Sequence, residues 1–356
     1  MNIRYIIAAL EELAPPSIQE SWDNSGLQVG LPAEGDGEVH GVLTCLDVNE
    51  ARIAEAVAKG CNMVVSHHPL IFKGLKHITD TSVAERAVAA AIRAGVAVYS
   101  AHTSLDSAAH GISEGIAQLL GAQASGVLQP IDMPMVKITA VCRREDADDV
   151  RLLLLGTEPE ILESAETRVT TRHNGDATFD IIHTPLTSIE VTVPQNRVRA
   201  ITSALQSYDG HGQVTVSTEV LAERTAYGLG QVLVYDEPLT MAAFRERVRD
   251  AFGCKAVRCS NAAADDVQVR RFAVCGGSGG EFIPLAISRG MDAYVSADIR
   301  YHDFADHGDA LAIFDVGHYE SEICAKNIIS RFLQNKFRNF AVYTAENESN
   351  PVNYII

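Results

Sequence analysis

Two hydrophobic rhythms alternate along the chain. Over residues 3–13 apolar positions recur at helical spacing and stop at Pro15-Pro16, where a helix loses a backbone donor and meets a steric clash. Residues 41–48 form an apolar, β-rich run, the pattern of a strand covered on both faces. Residues 50–59 return to helical spacing and end at Gly60. Residues 62–65 predict a short apolar strand that runs straight into Ser66-His67-His68-Pro69. Residues 82–94 predict a helix closed by Gly95, and 111–120 a helix closed by Gly121. Between them, residues 96–100 predict a strand leading into Ala101-His102-Thr103-Ser104-Leu105-Asp106.

The pattern resumes near the other end. Residues 270–275 read as a strand, Gly276-Gly277-Ser278-Gly279-Gly280 as a loop, and 281–289 as a helix closed by Gly290. Residues 291–296 and 311–316 read as strands, and Gly317-His318 opens a helix expected to continue to Leu333. Buried strands alternating with capped helices imply a layered α/β main domain built from both chain ends, residues 1–127 and 233–356. The middle differs. Strands over 136–142, 166–171, 181–193 and 213–220, with helices over 146–155 and 197–206, give the order β-α-β-β-α-β. That order is ferredoxin-like, so residues 128–232 are expected to form an inserted α+β domain. It carries no cluster of metal-type residues, and assembly or partner contact is its expected role.

Composition narrows the function more than the fold. The 356 residues are 47% hydrophobic and 21% charged, enough apolar surface for more than one core. The formal net charge is −17 and no run of lysine or arginine interrupts it, so nucleic acid is not the expected partner. A small anion held at a metal remains allowed, because local charge decides there. No apolar stretch reaches the length of a membrane span. The opening MNIRYIIAALEELAPPS has no basic leader or small-residue cleavage site and reads as an amphipathic helix, not a secretory signal. Seven scattered cysteines without a C-x-x-C pair suit a reducing cytoplasm.

Three places put metal-competent side chains directly after an apolar strand: His67-His68, Asp106 with His102 nearby, and His318. Ligands of open α/β sheets bind beyond the carboxyl ends of the strands, so all three are expected to face one crevice. Glu322 follows His318 by one helical turn on the same face. Together His67, His68, Asp106, His318 and Glu322 supply three imidazoles and two carboxylates. A catalytic zinc takes about three protein ligands, so this set suits two divalent ions about 3.5–4 Å apart. Nitrogen and oxygen ligation without thiolate suits Zn, Mn, Fe, Co or Ni better than Mg or Ca. Two such ions leave the pocket positive, which favours a bridging hydroxide and an anionic substrate.

The segments SWDNSGLQVG (21–30), SHHPLIF (66–72), HTSLD (102–106), GGSGG (276–280) and GHYESE (317–322) resemble the GTP cyclohydrolase 1 type 2 homologue family, also called NIF-three-like proteins. The resemblance covers both chain ends in the same order and extends to longer members with a central insert. It implies a dinuclear metal site on His67, His68, Asp106, His318 and Glu322. It further implies toroidal homohexamers whose metal sites face an internal cavity.

Other positions are open to two readings. His102 is a candidate for orienting a ligand or meeting substrate, or is a packed strand-end histidine. Trp22-Asp23-Asn24 lines the site or is structural. The 276–280 loop presents backbone N–H groups to a phosphate, or is only a tight turn; it lacks the lysine of a P-loop. His302 is a proton shuttle or a surface residue. Glu320, off the Glu322 face, is expected to be solvated. The leading expectation is a metal-dependent hydrolase whose hydroxide attacks an electrophilic carbon of a small phosphorylated or nucleotide substrate. The same hydroxide aimed at phosphorus gives a phosphatase or phosphodiesterase. A metal-binding assembly or regulatory protein without turnover is the third reading.

Overall fold

The computed structural model describes residues 1–30, 37–154, 162–173, 179–260 and 264–355. The chain divides into two compact units, residues 1–131 with 226–356, and residues 132–225. Before the second unit lie β1 (Gly26–Val29), β2 (Gly41–Cys45), β3 (Met63–Ser66), β4 (Ala97–Ser100) and β5 (Gln123–Pro130). Within it lie β6 (Pro134–Arg143), β7 (Leu162–His173), β8 (Phe179–Pro194) and β9 (Thr215–Arg224). After it come β10 (Gly228–Thr240), β11 (Arg258–Cys259), β12 (Gln268–Ser278), β13 (Ala293–Ala297), β14 (Ala312–Asp315) and β15 (Ala341–Thr344).

The first unit holds two mixed sheets with helices packed on them. One has the order β1-β4-β3-β2-β15, parallel except for β1 at its edge. The other has the order β11-β14-β13-β12-β10-β5, with β12, β13 and β14 parallel and the remaining pairs antiparallel. Each sheet takes an outer strand from the far end of the chain. β15 completes the sheet of the first half, and β5 completes the sheet of the second.

The local sequence explains the elements. Every residue of β2, β3 and β4 is buried, which is why these strands read as apolar runs without alternation. Helix Glu50–Ala58 starts where the Asn49 side chain accepts from the Arg52 N–H at 3.1 Å. Helix Val83–Ala94 starts where the Ser82 hydroxyl accepts from the Glu85 N–H at 3.2 Å, and it ends at Gly95 in the left-handed region. Both helices bury small and branched faces (Ile53, Ala56, Ala87, Val88, Ala91) against Leu43, Val64 and Val98. Each such branched side chain taken fully out of water stabilises the fold by about 1.5–3 kcal/mol. A second cluster packs Ile283 and Ala286 against Ala273, Tyr294 and Ile313.

Two expectations are corrected. The 276–280 segment is not all loop, because β12 continues through Gly276 and Gly277 to Ser278. The helix opened by His318 is short, His318–Glu322, and a separate helix follows, Ala325–Lys336. Among the described residues no helix is long and apolar enough to cross a membrane.

The second unit has the chain order β-α-β-β-α-β. Its sheet order is β7-β8-β6-β9, and every neighbouring pair is antiparallel. Helices Ala147–Leu154 and Gln195–Gln206 set Val150, Leu154, Ile201 and Leu205 on Ile138, Ala140, Ile189 and Val191.

Candidate metal centre

In the first unit the parallel strands of both sheets point their carboxyl ends at one place. β3 ends at Ser66 and delivers His67 and His68; β4 ends at Ser100 and leads through His102 into the short helix Thr103–Asp106. β14 ends at Asp315, and the turn at Gly317 starts helix His318–Glu322. His67, His68, Asp106, His318 and Glu322 meet there. Their ligand atoms form two overlapping groups, His68 with His318 and Glu322, and His67 with Asp106 and Glu322. The two groups offer a site for one or two divalent ions.

Glu322 is the shared member. Its Oε2 lies 2.8 Å from His68 Nε2 and 2.9 Å from His318 Nε2, and those two nitrogens are 3.4 Å apart. Its Oε1 lies 3.7 Å from His67 Nε2, and Asp106 Oδ1 lies 3.7 Å from the same nitrogen. Those longer separations are not hydrogen bonds. His67 Nε2 and Asp106 Oδ1 are buried and have no hydrogen-bond partner among the described residues. A protein seldom leaves two buried lone-pair-bearing atoms facing each other across such a gap, and a cation there satisfies both.

Each imidazole is held from behind by an oxygen. His67 Nδ1 is 2.9 Å from the Ala101 carbonyl, His68 Nδ1 is 2.8 Å from Asp47 Oδ1, and His318 Nδ1 is 2.8 Å from Asp298 Oδ2. The carbonyl can only accept, so His67 Nδ1 donates and its Nε2 carries the lone pair. The Asp47 and Asp298 carboxylates likewise accept from Nδ1 of His68 and His318, which leaves Nε2 of each ring turned to Glu322. Asp47 and Asp298 escaped the sequence reading, although they follow β2 and β13 as the histidines follow β3 and β14. The strand-end rule, applied to acidic residues as well, would have found them. Among the described residues Asp298 is the non-glycine residue whose φ is positive, at 53°.

The electrostatics show what the site is without an ion. Burial, with the Glu322 charge, pushes the Asp106 carboxyl up to about 7 against the opposing pull of His67. Burial alone would lower His68, but Asp47 and Glu322 outweigh it and raise the ring to about 10. The bond to Glu322 raises His318 to about 9 despite burial. Burial also works against ionisation of Glu322, and the surrounding imidazoles overcome it and hold that carboxyl well below its usual range. Protons thus neutralise part of the charge in the positions a metal would take.

The glycine segment has a packing reason. Gly277 has φ 62°, and a Cβ there would collide with Glu322 Oε1. Its N–H donates to Ser321 Oγ at 3.0 Å, so it is not turned to a phosphate. His102 sits beside the centre, with ring centroids 5.3 Å from His67 and 5.7 Å from His68. Its Nδ1 is 2.8 Å from Asp23 Oδ1, and Asp23 also accepts from Asn24, Ser25 and Thr103. These bonds overcome the effect of burial and hold Asp23 far below the usual carboxylate range. His302 lies away from the cluster on helix Tyr301–His307, exposed. Glu320 is not solvated. It is partly buried, with Oε1 accepting from Asn350 at 2.8 Å and Oε2 buried without a partner, because the C-terminal segment lies over it.

A family model described as Duf34/NIF3 (NGG1p interacting factor 3) matches residues 1–351. The chain belongs to this family. A Bacillus subtilis relative named GTP cyclohydrolase 1 type 2 homolog is 27% identical, covering 100% of this chain and 99% of its own. The crystal structure of a Bacillus cereus protein related to NIF3 superposes with a TM-score of 0.82 at 27% identity, covering 100% of this chain and 99% of that one. A Staphylococcus aureus crystal structure gives a TM-score of 0.72 at 25% identity with the same coverage.

Proposed function

We propose that this family member is a divalent-metal-dependent hydrolase acting on a small phosphorylated or nucleotide substrate, with His67, His68, Asp106, His318 and Glu322 as its metal ligands. One observation carries the reading. His67 Nε2 and Asp106 Oδ1 are buried, unpartnered and convergent with the other donors. Each such unmet group costs about 1–3 kcal/mol, which ion binding would offset. The two oxygens of Glu322 face different partners, which supports two ions rather than one. The donor set suits Zn, Mn, Fe, Co or Ni. Cys275 lines the adjoining cavity, but burial and the nearby Asp106 and Glu322 charges push its thiol far up, so it adds no thiolate.

When bound, the ions supply an acidified water and a positive field for developing negative charge. The chain's own residues do the rest. Asp47, Asp298 and the Ala101 carbonyl fix the ring planes. Asp23 orients His102 through Nδ1, which leaves Nε2 to take or return a proton beside the cavity. The second unit's element order and antiparallel 2-3-1-4 sheet support a ferredoxin-like insert. Seven scattered cysteines without a C-x-x-C pair are in keeping with a cytoplasmic protein. A homo-oligomer, with the hexamer implied by the family, completes the proposal.

The test uses metal-loaded protein beside Asp106→Ala, with GTP and generic phosphoesters. Formate release that disappears in the variant supports attack on a ring carbon. Phosphate release with the same dependence moves the assignment to a phosphatase or phosphodiesterase. Absence of metal-dependent turnover on both overturns the hydrolase reading, and fewer than one divalent ion per chain after reconstitution overturns the two-ion site.

A further inference from the structure

Beside the metal cluster the first unit opens into a cavity of about 530 Å³. Its lining includes Asp106, His318 and Glu322 together with Trp22, Phe72 and His102. Trp22 is 59% exposed and Phe72 46%, unusual for large rings beside a polar centre. The three rings meet edge to face: Trp22–Phe72 at 6.0 Å and 72°, Trp22–His102 at 6.1 Å and 71°, Phe72–His102 at 5.9 Å and 88°. Trp22 and Phe72 both keep exposed ring surface and both line the cavity.

The neighbours of both rings are tied down. Asp23 is bonded to His102 and Thr103, and Asn24 Nδ2 donates to the Ile71 carbonyl at 2.6 Å. The second contact links the Trp22 segment to the residue before Phe72. The cavity's chemistry narrows the ligand further. No lysine or arginine is among the described residues that line it, while Glu20 and Glu281 are. The lining residues therefore offer a phosphate tail no lysine or arginine cation, while they offer stacking faces and hydrogen-bond acceptors to a flat ring that carries N–H groups.

We propose that Trp22 and Phe72 are specificity-determining residues that stack a planar nitrogen heterocycle of nucleobase type, with its reacting group toward Asp106, His318 and Glu322. The last clause rests on the hydrolase reading; the stacking does not. Loss of one stacking ring weakens binding by roughly tenfold or more.

Trp22 is the single tryptophan of the chain, so intrinsic fluorescence reports on this corner directly. Full-length metal-loaded protein is titrated with guanosine, adenosine, cytidine and ribose 5-phosphate, following emission and, in parallel, calorimetry. Saturable change with at least one nucleoside, weakened about tenfold in Phe72→Ala and, by calorimetry, in Trp22→Ala with metal content unchanged, supports the proposal. It is overturned if ribose 5-phosphate binds as tightly as every nucleoside, or if no nucleoside binds. It is equally overturned if both variants bind nucleosides normally, including the case in which Trp22→Ala changes only the sedimentation coefficient. Ring binding without any turnover would sink the hydrolase reading and leave this one standing.

Discussion

Two carboxylates in the same corner of the first unit live under opposite conditions. Asp23 has every oxygen occupied: Oδ1 by His102 and the Asn24 N–H, Oδ2 by Ser25 and both the N–H and hydroxyl of Thr103. Asp106 has a buried oxygen with no hydrogen-bond partner among the described residues. The one is held far below its usual range, and the other is pushed up to about 7. Both are partly buried acidic residues near a histidine, yet only one is finished by the protein itself. The difference separates a residue that builds the site from one that waits for something else.

The largest expected effect breaks the comparison outright. Asp106→Ala should abolish stable metal binding, read by metal analysis after reconstitution, while leaving the metal-free protein no less stable, because it removes an unpaired buried carboxyl. A metal content equal to the parent's would remove Asp106 from the ligand set. Asp23→Ala should do the reverse. It strands the Thr103 and Asn24 N–H groups and should destabilise the fold by about 3 kcal/mol in denaturant titrations. Unchanged stability there would show that Asp23 is dispensable scaffolding. Next, Asp47→Asn and Asp298→Asn should weaken metal affinity about 10–100-fold without unfolding the protein, measured by competition with a chelating dye. Equal affinity in both would deny the carboxylates their orienting role.

The smallest effect is a pH trend that differs between metal-free and metal-loaded protein. His68 and His318 are raised above their unfolded values, so their stabilisation is complete below about 6.5 and fades as pH climbs toward 9 to 10. Asp106 is an acid with a raised value, so its burial penalty grows as pH rises from about 4 and is complete above 7. All three make the metal-free protein less stable at high pH. Metal binding requires these groups deprotonated and strengthens over the same interval. The melting temperature should therefore fall from pH 6 to 9 in chelator and hold or rise with metal; parallel curves would argue that no ion uses these residues.

Much of the scaffold was legible because its causes are local. The apolar runs of β2, β3 and β4, the Asn49 and Ser82 caps and the left-handed Gly95 each depend on a few neighbouring residues. Placement of His67-His68, Asp106 and His318 after strands followed from the same local reading. Missed features depended on pairing at a distance. The exchange of β15 and β5 between sheets, the Asp47 and Asp298 supports, and the covering of Glu320 by Asn350 all join parts of the chain that sequence spacing does not relate.

The order of side chains along the chain was enough to determine which residues stand at strand ends, because alternation of buried strands and capped helices is written in nearest neighbours. Whether those ends face one another was decided only by the tertiary fold. His68 and Glu322 are separated by 254 positions yet stand 2.8 Å apart. Two carboxylates in one corner became opposites for the same reason. Donors gather around Asp23 and none reaches the buried oxygen of Asp106, and that distribution exists only once the sheets have packed.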